Sequence, residues 1–345
     1  MLHRFLFVAI SLCVCSRAQG NIVDGCQAHS GCVIQQHAEL QPRTVSYLNA
    51  LRSDMSSLRG GDERPKHLEL NSPITYITDC KDENGKGRLK ARLATLFRGN
   101  SVSFVGVSSD YEAAINLVDI VDAYGEGPGV ILANVARREG HTRKQKWPNG
   151  PPFGWLRVGQ IDIFTTIDGY IVSLLQRMKQ TPFSIDLYEI PATVPHMGLS
   201  AERQAHVINT QFRSFDYLPL LAGQLCAGAP LPVSSTMSEV PPMPLALCWV
   251  DSFGNCKTNA LPEDCGFQVG REVVLKVEEQ RQFVFPCYSR LKDVPDNLVA
   301  LIVGSSGLEG RRFLEIVQQG DSAARTLALR SGMKLHVAKR ADADA

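Results

Sequence analysis

The chain has 345 residues, with 36 Lys and Arg against 35 Asp and Glu and a formal net charge of +1. This balance gives no electrostatic reason to expect nucleic acid or an anionic membrane surface as the partner. The hydrophobic fraction of 44% is ordinary for a globular protein, and the length predicts two domains rather than one core. No stretch after the N-terminus approaches about 18 consecutive apolar residues, so we expect no membrane span in the mature chain.

The N-terminus has the pattern of a secretory signal peptide. A positive charge at Arg4 precedes an apolar run from Phe5 to Val14, and small residues follow up to Gly20. Such a segment is removed on export, which predicts a signal peptide over residues 1–20. The mature protein is then expected in the secretory pathway, either secreted or in an organelle reached through a signal peptide. Residues 21–70 are polar and weakly patterned, and we interpret them as an N-terminal extension.

Eight of the ten cysteines remain after removal of the signal peptide. An even count in a secretory context permits disulfides, and Cys26 with Cys32 is the local pair that the sequence favours. The chain contains no Cys-x-x-Cys pair and no Cys/His set with zinc spacing, so we predict no structural metal.

An alternation of strand and helix patterns begins at Ser72. Strands are predicted at 73–79, 101–107, 129–135 and 161–166, and helices around 89–97, after Asp110, and over 168–179, 200–212 and 215–227. This order predicts an α/β domain over residues 71–228 with a mostly parallel sheet. Ligands of such sheets bind at the carboxyl ends of the strands, where Asp79 and Asn134 lie.

A basic loop follows the third strand, over residues 136–154. Its cations are Arg137, Arg138, Arg143, Lys144 and Lys146. Such a cluster can bind phosphate or nucleic acid, but a run of this kind is more often a solvated loop. We therefore expect a small-molecule substrate and no nucleic acid as partner.

A Pro- and Ser-rich stretch over residues 229–244 predicts a linker. Beyond it, short apolar runs separated by Gly, Pro and Asp turns predict an all-β domain over residues 245–340, a small barrel or sandwich. Its strands are expected at 245–250, 271–278, 281–286, 297–303, 312–318 and 333–338.

The first of these strands leads into Asp251-Ser-Phe-Gly-Asn-Cys-Lys-Thr-Asn259. The carboxylate of Asp251 can hold a cation, the ring of Phe253 can stack on a flat heterocycle, and the amides of Asn255 and Asn259 can bond its polar edge. A strand that ends in an ordinary Asn/Gly turn accounts for the same residues. The stretch alone does not distinguish a ligand site from a turn.

Several segments share a pattern with one enzyme family. They are Ile74–Asp79, Phe212–Gly228, Val250–Asn259, Phe313–Ala324 and Ser331–Val337. In this order they resemble the S-adenosyl-methionine (SAM) hydroxide adenosyltransferases and their fluorinase and chlorinase relatives. The segment Val250–Asn259 is the specific one, since it is similar to the family's Asp-x-Phe-Gly-Asn-x-x-Thr-Asn. The resemblance implies an α/β domain followed by a β-barrel, and a homotrimer that holds SAM between one subunit's first domain and its neighbour's second.

The resemblance also implies roles for individual residues. Asp79 would bind the ribose hydroxyls, and Asp251 would pair with the ammonium group of the methionine part. Adenine would be contacted by Phe253, by Asn255, and by the backbone around Ser322 and Ala323. SAM would be the substrate, and no separate cofactor is implied.

The chain departs from the family at the residues that orient the attacking water in its hydrolases. Ala136 stands where the family has an Asp and Arg213 where it has a His, so that only Arg143 remains of that set. Ser214 is similar to a serine that the halogenases use near the halide. The halogenases' aromatic residue at the Asp position is nevertheless absent.

We therefore predict a SAM-dependent adenosyltransferase/hydrolase, in which water attacks the ribose 5′ carbon to give adenosine and L-methionine. Arg143 and Arg213 are its catalytic candidates. A SAM- or nucleoside-binding protein with impaired catalysis is the alternative, which the missing Asp and His favour. A SAM-dependent halogenase is a third and weaker alternative.

Overall fold

The computed structural model describes residues 72–136, 150–179, 184–278 and 280–338. Within these ranges the chain forms two seven-stranded sheets, a mixed sheet with a parallel core and a nearly closed, barrel-like sheet at the C-terminal end. The predicted fold class is confirmed. The predicted signal peptide, the extension over 21–70 and the Cys26–Cys32 pair lie outside the described residues.

The first sheet is built around its parallel strands. Its members are β1 (Ile74–Thr78), β2 (Val102–Gly106), β3 (Gly129–Asn134), β4 (Phe153–Val158), β5 (Ile161–Thr166), β6 (Ile185–Tyr188) and β7 (Ser235–Met237), in the order β2-β1-β3-β5-β4-β6-β7. Parallel pairs join β2, β1, β3 and β5, and antiparallel pairs add β4, β6 and β7. The complete burial of β1 and the nearly all-apolar sequence of β3 suit this central position, because strands covered on both faces bury side chains on both.

Helices cover both faces of this sheet. They are α1 (Glu83–Leu96), α2 (Asp110–Tyr124), α3 (Ser173–Lys179), α4 (Ile190–Thr193), α5 (Ala201–Ile208), α6 (Arg213–Asp216) and α7 (Leu218–Cys226). Helices α1 and α7 share one apolar cluster with Tyr76, Leu132 and Phe164. Helices α2 and α3 share the other cluster with Ile131 and Ile163. The alternation of side chains along each strand therefore divides the core into two layers.

The second sheet curls so that its two ends meet. Its strands are β8 (Leu247–Val250), β9 (Cys256–Thr258), β10 (Glu272–Val277), β11 (Arg281–Tyr288), β12 (Val299–Leu308), β13 (Arg311–Gln318) and β14 (Leu335–Val337), in the order β14-β10-β11-β12-β13-β9-β8. A bridge between Ala246 and Lys334 brings the ends of this order together. Two single-turn helices, α8 (Pro262–Cys265) and α9 (Ala323–Thr326), complete this part.

The segment predicted as a linker, 229–244, contributes structure of its own. It contains β7, which pairs with β6 at the edge of the first sheet. The carbonyl of Pro241 accepts a hydrogen bond from Ser173 Oγ at 2.7 Å, and the amide of Val240 donates one to Gln176 Oε1 at 3.1 Å. The connection between the sheets is therefore bonded along its length to the first sheet and α3.

Helix α2 packs against both sheets. The apolar cluster on its side of the first sheet also includes Cys248 and Phe313 of the second sheet, so one core runs between them. At the border of this core, Asp119 accepts hydrogen bonds from Ser306 Oγ at 2.8 Å and from the Gly307 amide at 3.1 Å. One turn along the helix, Asp122 pairs with Arg312 at 2.8 Å.

Burial raises the pKa of the Asp119 carboxyl, although the two hydrogen bonds and the positive charge of Lys257 act in the opposite direction. A carboxyl with a raised pKa in the folded state binds its proton more tightly there than in the unfolded chain. Its contribution to folding is therefore most favourable at acidic pH and falls as the pH rises through the folded pKa.

We expect Asp119→Asn to be at least as stable as the wild type at pH 7, with an advantage that disappears toward pH 4. The asparagine keeps an acceptor for Gly307, donates to Ser306, and removes the buried charge. Asp119→Ala is expected to lose about 1–3 kcal/mol for each donor left unpaired. Urea unfolding at the two pH values measures both effects, and an asparagine variant that is weaker at pH 7 than at pH 4, relative to wild type, would contradict this account.

Candidate functional site

Two predicted site residues meet at the carboxyl edge of the first sheet. Thr78 at the end of β1 is in register with Asn134 at the end of β3, and Asp79 follows Thr78 directly. The Asp79 carboxylate accepts a hydrogen bond from the Ala136 amide at 3.1 Å. Both Asp79 and Asn134 are half-buried, so their side chains are still reachable from outside.

Helix α6 is held over this edge by a buried hydrogen bond. The hydroxyl of Tyr76 donates to the Ser214 carbonyl at 2.7 Å. Burial raises the pKa of Tyr76, and the neighbouring Cys80 and Asp79 raise it further, so the phenol remains a neutral donor. Ser214 is consequently buried above β1.

Arg213, the first residue of α6, lies over the ring of Phe153 in β4. Its Cζ is 5.2 Å from the ring centroid, and its Nη1 donates to the Pro151 carbonyl at 2.8 Å. A Cβ on Gly150, where φ is +78°, would stand 2.6 Å from Arg213 Cζ, so a side chain at that point would displace the guanidinium.

The electrostatics of Arg213 define what it can do chemically. Burial lowers its pKa, while the nearby Asp168 and Tyr217 raise it. A guanidinium keeps its charge in proteins and cannot act as a general base. Arg213 can therefore orient a group or stabilise negative charge, but it cannot accept a proton as a histidine would.

The Asp251–Asn255 turn of the second sheet is closed by its own carboxylate. Asp251 Oδ1 accepts from the amides of Phe253 at 2.9 Å and Asn255 at 3.0 Å, and Oδ2 accepts from Asn255 Nδ2 at 3.0 Å. These three donors use three of about four lone-pair positions on a carboxylate. One position remains for a donor from outside the turn, such as an ammonium group.

Gly254 brings this turn against a distant part of the chain. Its φ is +86°, and its carbonyl accepts a hydrogen bond from the Ala324 amide at 3.0 Å. An added Cβ would stand 1.9 Å from Ser322 Oγ. The structure therefore unites the predicted residues of the second sheet in one place, which we call the turn–α9 surface: Asp251, Phe253, Asn255, Ser322 and Ala323.

Phe253 is the exposed part of the turn–α9 surface. Its side chain is 78% exposed, the highest value among the large apolar residues that are exposed in the described ranges. Beside it, Ala323 is buried and Ser322 is half-buried. The Ser322 hydroxyl caps α9 by accepting a hydrogen bond from the Arg325 amide. A flat apolar face next to polar backbone is a suitable place for an aromatic heterocycle.

Asn259 does not face a ligand. Its Oδ1 accepts from the Ala246 amide and its Nδ2 donates to the Pro244 carbonyl, both at 2.8 Å, and the residue is fully buried. The prediction that its amide can bond a heterocycle is therefore wrong, because both ends of the amide hold the start of β8.

Sequence patterns did not reveal two further polar features. Lys257 and Glu315 form a buried ion pair at 2.6 Å beneath the turn, where it joins β9 to β13. Thr166 ends β5 at the carboxyl edge of the first sheet with 4% exposure, and its hydroxyl has no hydrogen-bond partner among the described residues. A threonine at a strand end carries no signal that distinguishes it from strand-forming threonines.

The predicted catalytic residue Arg143 lies outside the described residues, together with the rest of 137–149. In the described ranges, no group of three or more His, Cys, Asp or Glu side chains is arranged to hold a metal ion. None of the helices in the described part of the chain combines the length and the apolar character that a bilayer crossing requires.

Comparison with known proteins identifies the second sheet. Residues 246–336 match the family model described as the SAM hydroxide adenosyltransferase C-terminal domain. This range contains the whole turn–α9 surface. None of the curated proteins matches the chain.

Solved structures with the same fold include two bacterial proteins. An uncharacterized conserved protein from Thermotoga maritima matches with a TM-score of 0.56 and 17% identity, over 77% of this chain and 100% of the other. A conserved hypothetical protein from Thermus thermophilus matches with a TM-score of 0.51 and 19% identity, over the same shares. Both structures show that the two-sheet fold recurs at low sequence identity.

We expect Gly254→Ala to destabilise the protein more than Gly266→Ala. Both glycines have a positive φ, of +86° and +64°, and the left-handed conformation costs an alanine about 1 kcal/mol at each. The Cβ meets nothing within 4 Å at Gly266, but collides with Ser322 at Gly254. Chemical denaturation should show about 1 kcal/mol for the control and at least twice that for Gly254→Ala. Equal losses would mean that the turn does not press on α9.

Proposed function

Because this chain belongs to the SAM hydroxide adenosyltransferase family through its C-terminal domain, residues 246–336, we propose that it binds SAM and hydrolyses it to adenosine and L-methionine. The observation that carries the proposal is the contact between Gly254 and Ser322. This contact builds one surface from two segments of the chain, and the surface matches the chemistry of the substrate.

The turn–α9 surface fits the adenine and methionine parts of SAM. The remaining acceptor position on Asp251 suits the ammonium group, since an ionised carboxylate forms its strongest hydrogen bonds with cationic donors. The exposed ring of Phe253 suits stacking with adenine. At the edge of the first sheet, Asp79 and Asn134 offer acceptors for the ribose hydroxyls.

We further propose a homotrimer in which SAM lies between the first sheet of one subunit and the second sheet of its neighbour. The exposed ring of Phe253 supports this arrangement, because a ligand and a second subunit would together cover it. Each site would then take Asp79 from one chain and Asp251 from another.

The reaction would be a displacement at the ribose 5′ carbon. The water oxygen forms a bond to this carbon as the bond to sulfur breaks, the electron pair stays on sulfur in neutral methionine, and a proton is released to solvent. A sulfonium is already an activated leaving group, so alignment of the reactants and exclusion of bulk water would supply much of the rate. Arg213 and Arg143 are the proposed catalytic residues, which orient the water.

A SAM- or nucleoside-binding protein without turnover is the second candidate. The observation in its favour is Ala136, which offers only a backbone amide where the family's hydrolases have a carboxylate, and this amide is bonded to Asp79. A halogenase is a weaker third candidate, supported by the position of Ser214 over the edge of the first sheet. Product analysis with and without chloride distinguishes the three.

Purified protein is expected to bind SAM and to release adenosine and methionine in equal amounts. Asp251→Asn should raise the Kd for SAM about 10- to 100-fold, because the charged partner of the ammonium group is lost. The exposed Asp296→Asn is the matched control and should bind as the wild type does. Calorimetry gives the Kd, and chromatography of the reaction gives the products.

Each result has a distinct meaning. Unchanged affinity in Asp251→Asn would place the site elsewhere. Tight binding by the wild type without adenosine would favour the binding protein, and 5′-chloro-5′-deoxyadenosine formed with chloride would favour the halogenase.

The shared site predicts complementation between inactive subunits. At SAM concentrations near the wild-type Kd, the Asp79→Asn and Asp251→Asn chains are each expected to have little activity alone. In co-expressed mixed trimers, about a quarter of the sites would combine the two wild-type side chains, so activity should recover to about a quarter of the wild-type value. Mass photometry confirms the trimer. No recovery in mixed trimers would mean that each site is built from one subunit.

A further inference from the structure

Three polar side chains form a row at the carboxyl edge of the first sheet. Thr78 and Asn134 are in register on β1 and β3. Along β5, Thr166 follows Phe164 by two residues and therefore faces the same side as that ring, which belongs to the cluster under α1 and α7. Thr78 likewise follows Tyr76 of that cluster by two residues, and Asn134 follows Leu132 by two. All three polar residues therefore face the same side of the sheet.

Within this row Thr166 is distinct because its hydroxyl is unpaired. Thr78 Oγ1 accepts from the Cys80 amide at 3.1 Å, whereas Thr166 Oγ1 has no partner in the described part of the chain. The adjacent Thr165 faces the opposite side and donates its hydroxyl to the Thr166 carbonyl at 3.0 Å. A hydroxyl with 4% exposure and no protein partner is costly to keep, unless a molecule other than the protein bonds to it.

The surroundings of Thr166 connect it to Arg213. Thr166 is in register with Phe153 across the β4–β5 pair, which places their Cβ atoms roughly 5 Å apart. The same ring lies under the guanidinium of Arg213, at 5.2 Å from Cζ. Thr166 and the fixed cation of Arg213 are therefore both neighbours of Phe153.

We propose that the Thr166 hydroxyl accepts a hydrogen bond from the attacking water and so fixes its direction toward the ribose 5′ carbon. This inference rests on the proposed function and deepens it. The burial of Thr166 favours water as its partner, because the hydroxyl oxygen is enclosed too closely for any larger group. The half-buried Asp79 and Asn134 are open to the larger groups of SAM.

In this step the water oxygen bonds to the 5′ carbon while the carbon–sulfur bond breaks. The electron pair of that bond leaves with neutral methionine. The hydrogen bond to Thr166 directs one proton of the water away from the carbon, and the excess proton then passes to solvent.

Thr166→Val replaces the hydroxyl by a methyl group of similar size. We expect kcat to fall at least tenfold, about the effect of one lost hydrogen bond in the transition state, while the Kd for SAM stays within about twofold of the wild type. The unfolding midpoint should not fall, because no bond within the protein is lost. Thr166→Ser keeps the hydroxyl and should recover most of kcat.

Thr165→Val is the matched control. It removes a hydroxyl that does bond to the protein, so its unfolding midpoint should fall while kcat remains at the wild-type value. A Thr166→Val protein as stable as wild type beside a less stable Thr165→Val protein would show that the Thr165 hydroxyl stabilises the fold and the Thr166 hydroxyl does not.

Three results would overturn the inference: an unchanged kcat in Thr166→Val, a weaker affinity for SAM with unchanged kcat, or a Thr166→Val protein less stable than wild type. The second result would assign the hydroxyl to SAM itself, and the third to a partner within the protein. A wild type that binds no SAM or does not turn it over contradicts the proposed function, and with it this inference, before any substitution is compared.

Discussion

The packing of helix α2 between the two sheets is the constraint on which the remaining structure depends. One face of the helix covers β1 and β3, and its apolar cluster continues into Cys248 and Phe313 of the second sheet. At its border Asp119 and Asp122 bond directly to β12 and β13. The apolar area common to both sheets therefore fixes where the Asp251 turn stands relative to the parallel core.

The parts of the fold that the sequence predicted are those with strong local periodicity. Strand β3 is an apolar run of ordinary length, β1 and β5 are rich in the isoleucine, threonine and aromatic residues that strands favour, and the strands of the barrel are separated by clear turn residues. The helix predicted from 168 begins at Ser173, since Gly169 with φ +89° stands in the intervening turn. Strands β4, β6, β7 and β9 were not predicted. Strands β6, β7 and β9 have only four, three and three residues and owe their form to pairing across the sheets.

The site could be predicted only where residue type and spacing coincide with a family pattern. Asp251, Phe253 and Asn255 are neighbours in sequence, but their contact with Ser322 depends on a positive φ at Gly254 and on the return of the chain after β13. No local pattern contains that information. Asn259 was predicted to contact a ligand, but its side-chain amide instead holds the start of β8. The residue type alone does not distinguish these two uses of an amide.

Under the proposed function, Arg213 stands where the hydrolases that the chain resembles have a histidine. The first sheet would then act mainly on the transition state, and the second sheet would supply the binding energy. A fixed cation beside a sulfonium opposes substrate binding, and this repulsion is relieved as the sulfur becomes neutral in the transition state. The binding energy must then come from groups that attract SAM elsewhere, which the turn–α9 surface provides through Asp251 and Phe253. Because methionine leaves as a neutral thioether, the reaction needs an oriented water more than a strong base. Under that proposal, a guanidinium bonded to Pro151 and a buried hydroxyl at Thr166 would supply the orientation without a titrating side chain, so catalysis would not require the Asp and His of the hydrolases that the chain resembles.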